Sequence, residues 1–275
     1  MSDFLQQMIA SSARRAAAAR ERTPLARPQP REHGRLRAAL AAPAAAARAA
    51  GLPAPLAIIA EVKRRSPSKG DIAPDLDAVS QARAYEAAGA DAISVLTEPE
   101  RFGGSLDDLR AVAAAVRVPV LRKDFIIDPH QIWEAAEAGA AAVLLIVAAL
   151  PGASLGALLD ECLDCGLDAL VEVHDADELQ RAYAVGAPLM GVNNRDLRTL
   201  DVDLAVTERL GALMGPCVLL VSESGIGAPG EARRVRAAGA QAVLVGEALV
   251  CTPHAHLAGT MAALRGVPPA AGGAA

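Results

Sequence analysis

At 275 residues, 52% of them hydrophobic and 21% charged, the chain fits a soluble globular protein with one large core and excludes a disordered or fibrous one. A net charge of −5 and a pI of 5.6 argue against a general nucleic-acid surface, so an anionic ligand must be held by a few placed cations and amides. Four cysteines, Cys162, Cys165, Cys217 and Cys251, are too few for a disulfide scaffold, and no charge-free run of 18 apolar residues points to a membrane span.

Residues 1–50 are rich in Ala, Arg and Pro and carry no strand signal. They read as a helical extension outside the main domain, packed over one of its ends. The start MSDFLQQMIASSARRAAAAR has the Arg-rich cast of a transit peptide, but Asp3 and Glu21 interrupt the pattern, and an amphipathic helix is the preferred reading. No basic head with an apolar run marks a secretory signal, so the cytoplasm is the default compartment.

From residue 51 to 266 the chain alternates regularly. Short apolar runs fall at 57–62, 92–96, 118–121, 142–147, 168–173, 189–192, 218–221 and 242–245, with helical patterns between them. Most lack polar alternation, as strands buried on both faces should. Four of the intervening helices end on a Gly-Ala step, at Gly89, Gly139, Gly186 and Gly239, where glycine accepts the left-handed conformation that closes a last turn. Eight such units predict an α/β fold, a (β/α)8 TIM barrel with an N-terminal helical extension. The tail, 267–275, is expected to be disordered.

In such a barrel function sits at the C-terminal ends of the strands, and there the unusual residues fall. Strand alternation puts Glu61 and Lys63 on one side, Lys123 with Leu121, Glu172 with Leu170, and Asn193 with Arg195. Any one of these could be a strand-end charge reaching solvent or a salt bridge between loops. Together they must converge on one mouth. Ser66-Pro67-Ser68-Lys69-Gly70 after the first strand, Ser224-Gly225 after the seventh and Gly246-Glu247 after the eighth suggest amides that approach a phosphate. Each alone is more often a simple turn.

Other features are discounted. Cys162 and Cys165 lie near a helix end with no second pair, so neither zinc nor a redox couple is expected. His174 falls beyond Glu172 and reads as a surface or loop histidine, while His254 and His256 lack further ligands. Trp133 reads as packing within the third barrel helix. No GxGxxG or Walker loop is present, so no nucleotide cofactor is indicated.

The segments EVKRRSPSKG, VLTEPERFGGS, VLRKDFIIDPHQI, VLLIV, LVEVHD, GVNNRDL, VSESGI and VLVGEAL, in order and one at nearly every strand end, resemble the indole-3-glycerol phosphate synthase family of tryptophan biosynthesis. The resemblance covers about residues 57–250 and implies the single-function form of a barrel enzyme without metal or organic cofactor. It implies ring closure of 1-(2-carboxyphenylamino)-1-deoxyribulose 5-phosphate to indole-3-glycerol phosphate, CO2 and water. By that resemblance Lys123 is the general acid at the carbonyl, and Glu172 is its partner in dehydration. Lys63 neutralises substrate anions, Glu61 orients the lysines, and Asn193 and Arg195 position the substrate. Glu223 and Ser224 support the same wall. Ser66 and amides near Gly225, Gly246 and Glu247 hold the phosphate, and Phe102 and Leu144 make the slot for the aromatic ring. Where the family often has serine after the eighth-strand glycine this chain has Glu247, so only its amide is credited.

Three rivals stay open at the level of sequence: a phosphoribosylanthranilate isomerase, a Schiff-base lysine aldolase and a catalytically silent barrel that only binds. The isomerase does not account for EVKRRSPSKG or for both lysines, and a silent barrel would be expected to lack some of the polar strand ends. The implied partner is a phosphorylated small molecule, with no nucleic acid and no membrane. The oligomeric state is open, a monomer being compatible.

Overall fold

The computed structural model describes residues 3–29 and 33–266; the expected disordered tail, 267–275, lies outside the described residues. The barrel strands are β1 (Ala57–Val62), β2 (Ala92–Leu96), β3 (Val120–Lys123), β4 (Ala142–Ile146), β5 (Asp168–Val173), β6 (Leu189–Asn193), β7 (Leu219–Glu223) and β8 (Ala242–Val245). Each pairs in parallel with its sequence neighbour, and β8 closes on β1. All eight expected strands are present. β3, β6 and β7 run one or two residues further than the apolar runs suggested, because the ladder continues through Lys123, Asn193 and Glu223.

Alternation along each strand separates two cores. On β5, Ala169, Val171 and Val173 pack against the outer helices, while Leu170 faces the axis. On β1, Ile58, Ala60 and Val62 face outward, and Ala57 and Ile59 inward. The inward series is apolar at the bottom and ends at the top in Glu61, Lys123, Glu172, Asn193 and Glu223, all lining one cavity. The core thus stops where the polar mouth begins.

The helices start and stop on local signals. Asp77, Ser105, Asp128 and Asp175 each accept a backbone N–H at a helix start. Gly89, Gly139, Gly186 and Gly239 have φ of 92°, 85°, 71° and 97°, the left-handed closure expected of them.

The extension forms two helices, α1 (Asp3–Arg22) and α2 (Arg35–Ala49). They do not share one end of the barrel, as expected from sequence, but divide between both. α1 lies at the C-terminal mouth, where Ser12 Oγ donates to Phe125 O at 2.5 Å and Arg15 forks onto Asp124 at 2.8 and 3.0 Å. α2 plugs the opposite end: Leu36 and Leu40 are fully buried in the axial core, and the N–H groups of Leu36 and Arg37 donate to Asp168 at the start of β5. Each helix has its own apolar pair, Leu5 with Met8 and Leu36 with Leu40, which is why each can cap a different end.

Candidate active site

At the C-terminal mouth lies a cavity of about 470 Å³. Every residue singled out from sequence as catalytic or substrate-binding lines it: Glu61 and Lys63 from the end of β1, Ser66 from the loop beyond, Phe102 after β2, Lys123, Leu144, Glu172, Asn193 and Arg195, then Glu223, Ser224 and Gly225, and Gly246 with Glu247. A barrel mouth forces this convergence, because residues distant in sequence end their strands on one ring.

The charged groups are in contact. Lys63 Nζ is 2.8 Å from Glu61 Oε1. Lys123 Nζ is 2.7 Å from Glu223 Oε2 and 3.4 Å from Glu172 Oε2. Asn193 Oδ1 accepts from Ser224 Oγ at 2.8 Å and from the Arg195 N–H at 3.0 Å, and the Arg195 guanidinium donates to Leu200 O at 2.7 Å. Ser224 and Gly225 both hold positive φ, 65° and 78°, so this turn is strained at its non-glycine residue.

Three buried carboxylates face two ammonium groups, and their protonation follows from that imbalance. Burial drives the Glu223 carboxyl up; Lys123 pulls against it, Glu172 repels it, and it ends at about 7. Burial alone would strip the proton from Lys123, but Glu223, Glu172 and Glu61 hold its ammonium well above the usual range. For Glu172 burial is outweighed by Lys123 and His174, and for Glu61 by Lys63 and Lys123, so both stay below the usual carboxylate range. The site therefore offers a firm cation at Lys123, a firm anion at Glu172 and a proton near neutrality on Glu223.

Space is reserved by two glycines. A Cβ on Gly246 would stand 2.6 Å from Glu61 Oε1 and 2.8 Å from Lys63 Nζ. A Cβ on Gly191 would stand 2.1 Å from Glu223 Oε1. Gly191 carries no sequence signal beyond a glycine inside a strand.

Sequence reasoning missed further groups. The chain has three phenylalanines, and all three meet at this mouth: Phe125 lies 6.4 Å from both Phe4 and Phe102, ring centre to ring centre. Phe125 sits inside a quoted strand-end segment, so its position was a usable signal. Phe4 had none, since it arrives from α1. Behind Lys123 a buried set joins Arg122 to Thr97, Gln131 O, Glu134 and Asp124.

His174 is corrected. It is in the loop after β5 but is not a surface residue: its side chain is 15% exposed and stands between Glu178, at 3.0 Å, and Glu172, at 3.4 Å. The Glu247 side chain stays at the rim of the cavity, paired with Lys69 Nζ at 2.6 Å, both residues lining the mouth. Cys162 and Cys165 are buried at the end of the helix Ser154–Asp164, and burial pushes the Cys165 thiol up to about 11. Trp133 is partly buried in the helix Pro129–Glu137 and donates to Glu161 at 2.7 Å. His254 Nε2 lies 3.0 Å from Gln81 Oε1. Among the described residues, no cluster of three or more His, Cys, Asp and Glu is placed to hold a metal ion, and no helix is long and apolar enough to cross a membrane.

The comparisons with known proteins agree with this geometry. The family model described as indole-3-glycerol phosphate synthase matches residues 5–259. A protein of that name from Nocardioides sp. is 58% identical over 193 residues, 70% of this chain and 74% of its own length. Another from Kineococcus radiotolerans is 54% identical over 193 residues, 70% of each chain, and one from Saccharopolyspora erythraea is 50% identical over 222 residues, 80% and 82%. With a closed barrel, a mouth of paired lysines and carboxylates and a match over most of its length, the chain belongs to the indole-3-glycerol phosphate synthase family.

Proposed function

We propose that this chain closes the indole ring of 1-(2-carboxyphenylamino)-1-deoxyribulose 5-phosphate, releasing CO2 and water, and that the mouth residues divide the work as follows. The observation that carries the reading is Lys123, held by Glu223 and Glu172 between an aromatic wall and a glycine-rich wall. Phe102, Phe125, Phe4 and Leu144 offer a flat apolar slot for the carboxyphenyl ring. Ser66, the Ser224-Gly225 turn and the amides near Gly246 and Glu247 take the phosphate.

The ring carbon bearing the carboxylate attacks the ketone carbon, and Lys123 gives its proton to the oxygen that becomes hydroxyl. The bond to the carboxylate then breaks, its electrons restoring the aromatic ring as CO2 leaves. Glu172 takes a proton from the neighbouring methylene while the hydroxyl departs as water, with Lys63 placed to supply the proton. Glu61 fixes Lys63 and binds a substrate hydroxyl; Asn193 and Arg195 set the sugar chain. No step calls for a metal or an organic cofactor.

All these groups come from one chain, which supports a monomer as a sufficient unit. The acidic net charge supports a free small molecule rather than a nucleic acid as substrate, and the cytoplasm is proposed as its place of work. Purified protein with the carboxyphenylamino substrate and a chelator should show steady indole fluorescence. Absence of turnover in folded protein would overturn the reading. Borohydride trapping of a lysine adduct would favour the aldolase instead.

A further inference from the structure

His174 is a largely buried titratable group beside the mouth that ring closure, as derived above, does not use. Its placement is specific. The backbone N–H of His174 donates to Glu178 Oε2 at 2.8 Å, and ring Nδ1 lies 3.0 Å from the same oxygen, so the first turn of the helix Ala176–Ala184 fixes the ring. The other ring nitrogen, Nε2, is buried with no hydrogen-bond partner and points toward Glu172, 3.4 Å from Oε1. Lys123 stands 3.4 Å from the other oxygen, Oε2. The two oxygens of Glu172 are thus bracketed by an ammonium on one side and an imidazole on the other.

The charged groups facing the ring are Glu172 from β5, Glu178 from the following helix and Glu223 from β7. Asp175, next in the chain, is turned to cap the Glu178 N–H at 2.9 Å. Burial works against an imidazolium here, but Glu178, Glu172 and Glu223 outweigh it and raise the ring above its usual value.

We propose that His174 is a positioning residue for the ring closure: anchored by Glu178, it holds Oε1 of Glu172 while Lys123 holds Oε2. This rests on Glu172 being the base of the dehydration step. The protonated ring donates from Nδ1 to Glu178 and presents Nε2–H to Glu172. Once neutral, with its remaining proton on Nδ1, it turns a lone pair on the carboxylate and repels it. The placement is present below the pKa of His174 and is lost as pH rises through it.

The test compares His174→Gln with the parent protein across pH. Glutamine carries no charge and does not titrate, so it cannot hold the Glu172 carboxylate as an imidazolium anchored on Glu178 does. Below the pKa of His174, kcat should fall about tenfold from misplacement of Glu172, with KM held within about twofold, and the two proteins should converge above that pKa. Glu223 also titrates, at about 7, so the ratio of the two profiles is the readout, not either profile alone. A ratio that stays constant with pH would mean a merely structural role and would overturn the proposal.

A second measurement needs no turnover. The imidazole resonance of His174, assigned by its absence in His174→Gln, should titrate lower by about one unit in both Glu172→Gln and Glu178→Gln. Unchanged titration in Glu172→Gln would break the proposed contact. If the parent protein makes no indole, the reaction assignment fails, and the His174–Glu172 contact stands or falls on the titration.

Discussion

Lys123 Nζ and Glu223 Oε2 lie 2.7 Å apart although they end β3 and β7, strands on opposite sides of the eight-stranded ring. Their contact crosses the mouth, and Glu172, near the end of β5, meets the same ammonium from the side. Lys123→Ala removes the ammonium that touches both carboxylates. Its kcat should fall about 10²-fold or more if Lys123 is the acid at the carbonyl, with the protein still folded by circular dichroism. A near-normal rate would remove Lys123 from the mechanism.

Glu223 makes a prediction about stability. Its folded carboxyl titrates at about 7, above the ordinary 4.5. A raised acid binds its proton more tightly when folded, so this contribution is complete below about pH 4.5 and lost as pH rises through about 7. Glu223→Gln does not titrate. Its stability relative to the parent should therefore improve between pH 4.5 and 8, by on the order of 3 kcal/mol at most. Urea denaturation at both pH values checks this, and a difference that does not move with pH would refute it.

Gly191 faces that same carboxylate. Gly191→Ala places a methyl 2.1 Å from Glu223 Oε1 and 3.3 Å from Leu170 Cδ1. Glu223 cannot swing aside without leaving Lys123. The variant should lose about 1–3 kcal/mol to overpacking, and kcat should drop with it. Unchanged kcat would mean that the Lys123–Glu223 contact does not matter to turnover.

The barrel was legible in the sequence because apolar strands recur with helical patterns between them, and four of those helices close on a left-handed glycine such as Gly139. The mouth was legible because strand ends converge by topology, so Lys123 and Glu172 needed only alternation to be placed together. Phe4 was not, since its position depends on how α1 folds back over the mouth, held by Arg15 on Asp124. His174 was misread because alternation says where a residue leaves a strand, not what the next helix does with it. Glu178 turns the ring inward.

Arg15 tests how far α1 matters. It is the group from α1 that forks onto buried Asp124, next to Lys123 in the chain. Against the cost of burial, Arg15 and Arg122 keep the Asp124 carboxyl down at about 2. That stability is present above the ordinary 3.8 and lost as pH falls through about 2. Arg15→Ala should lower stability by about 1–3 kcal/mol at pH 7, less at pH 2.5, and raise KM as Phe4 loosens from the aromatic wall. Because α1 and α2 cap opposite ends, truncation at residue 50 would confound two effects that removal of α1 alone, with α2 kept, separates.

Glu247 makes the last prediction. Its carboxylate is 2.6 Å from Lys69 Nζ, and the pair joins the loop after β1 to the start of the short helix Glu247–Val250 across the part of the mouth proposed to take the phosphate. Both side chains are substantially exposed, so the pair adds little to folding. A phosphate bound where proposed would meet a carboxylate at its rim and a lysine already engaged. Glu247→Ser frees Lys69 and removes the like charge, so KM should fall by about 3- to 10-fold at low salt, and the gap should narrow toward 1 M salt as screening shortens the reach of both charges. Lys69→Met should raise KM and leave kcat nearly unchanged if the phosphate binds where proposed, beside Lys69 and away from the reacting carbons. Equal KM for Glu247→Ser and the parent at every ionic strength would place the phosphate elsewhere in the mouth.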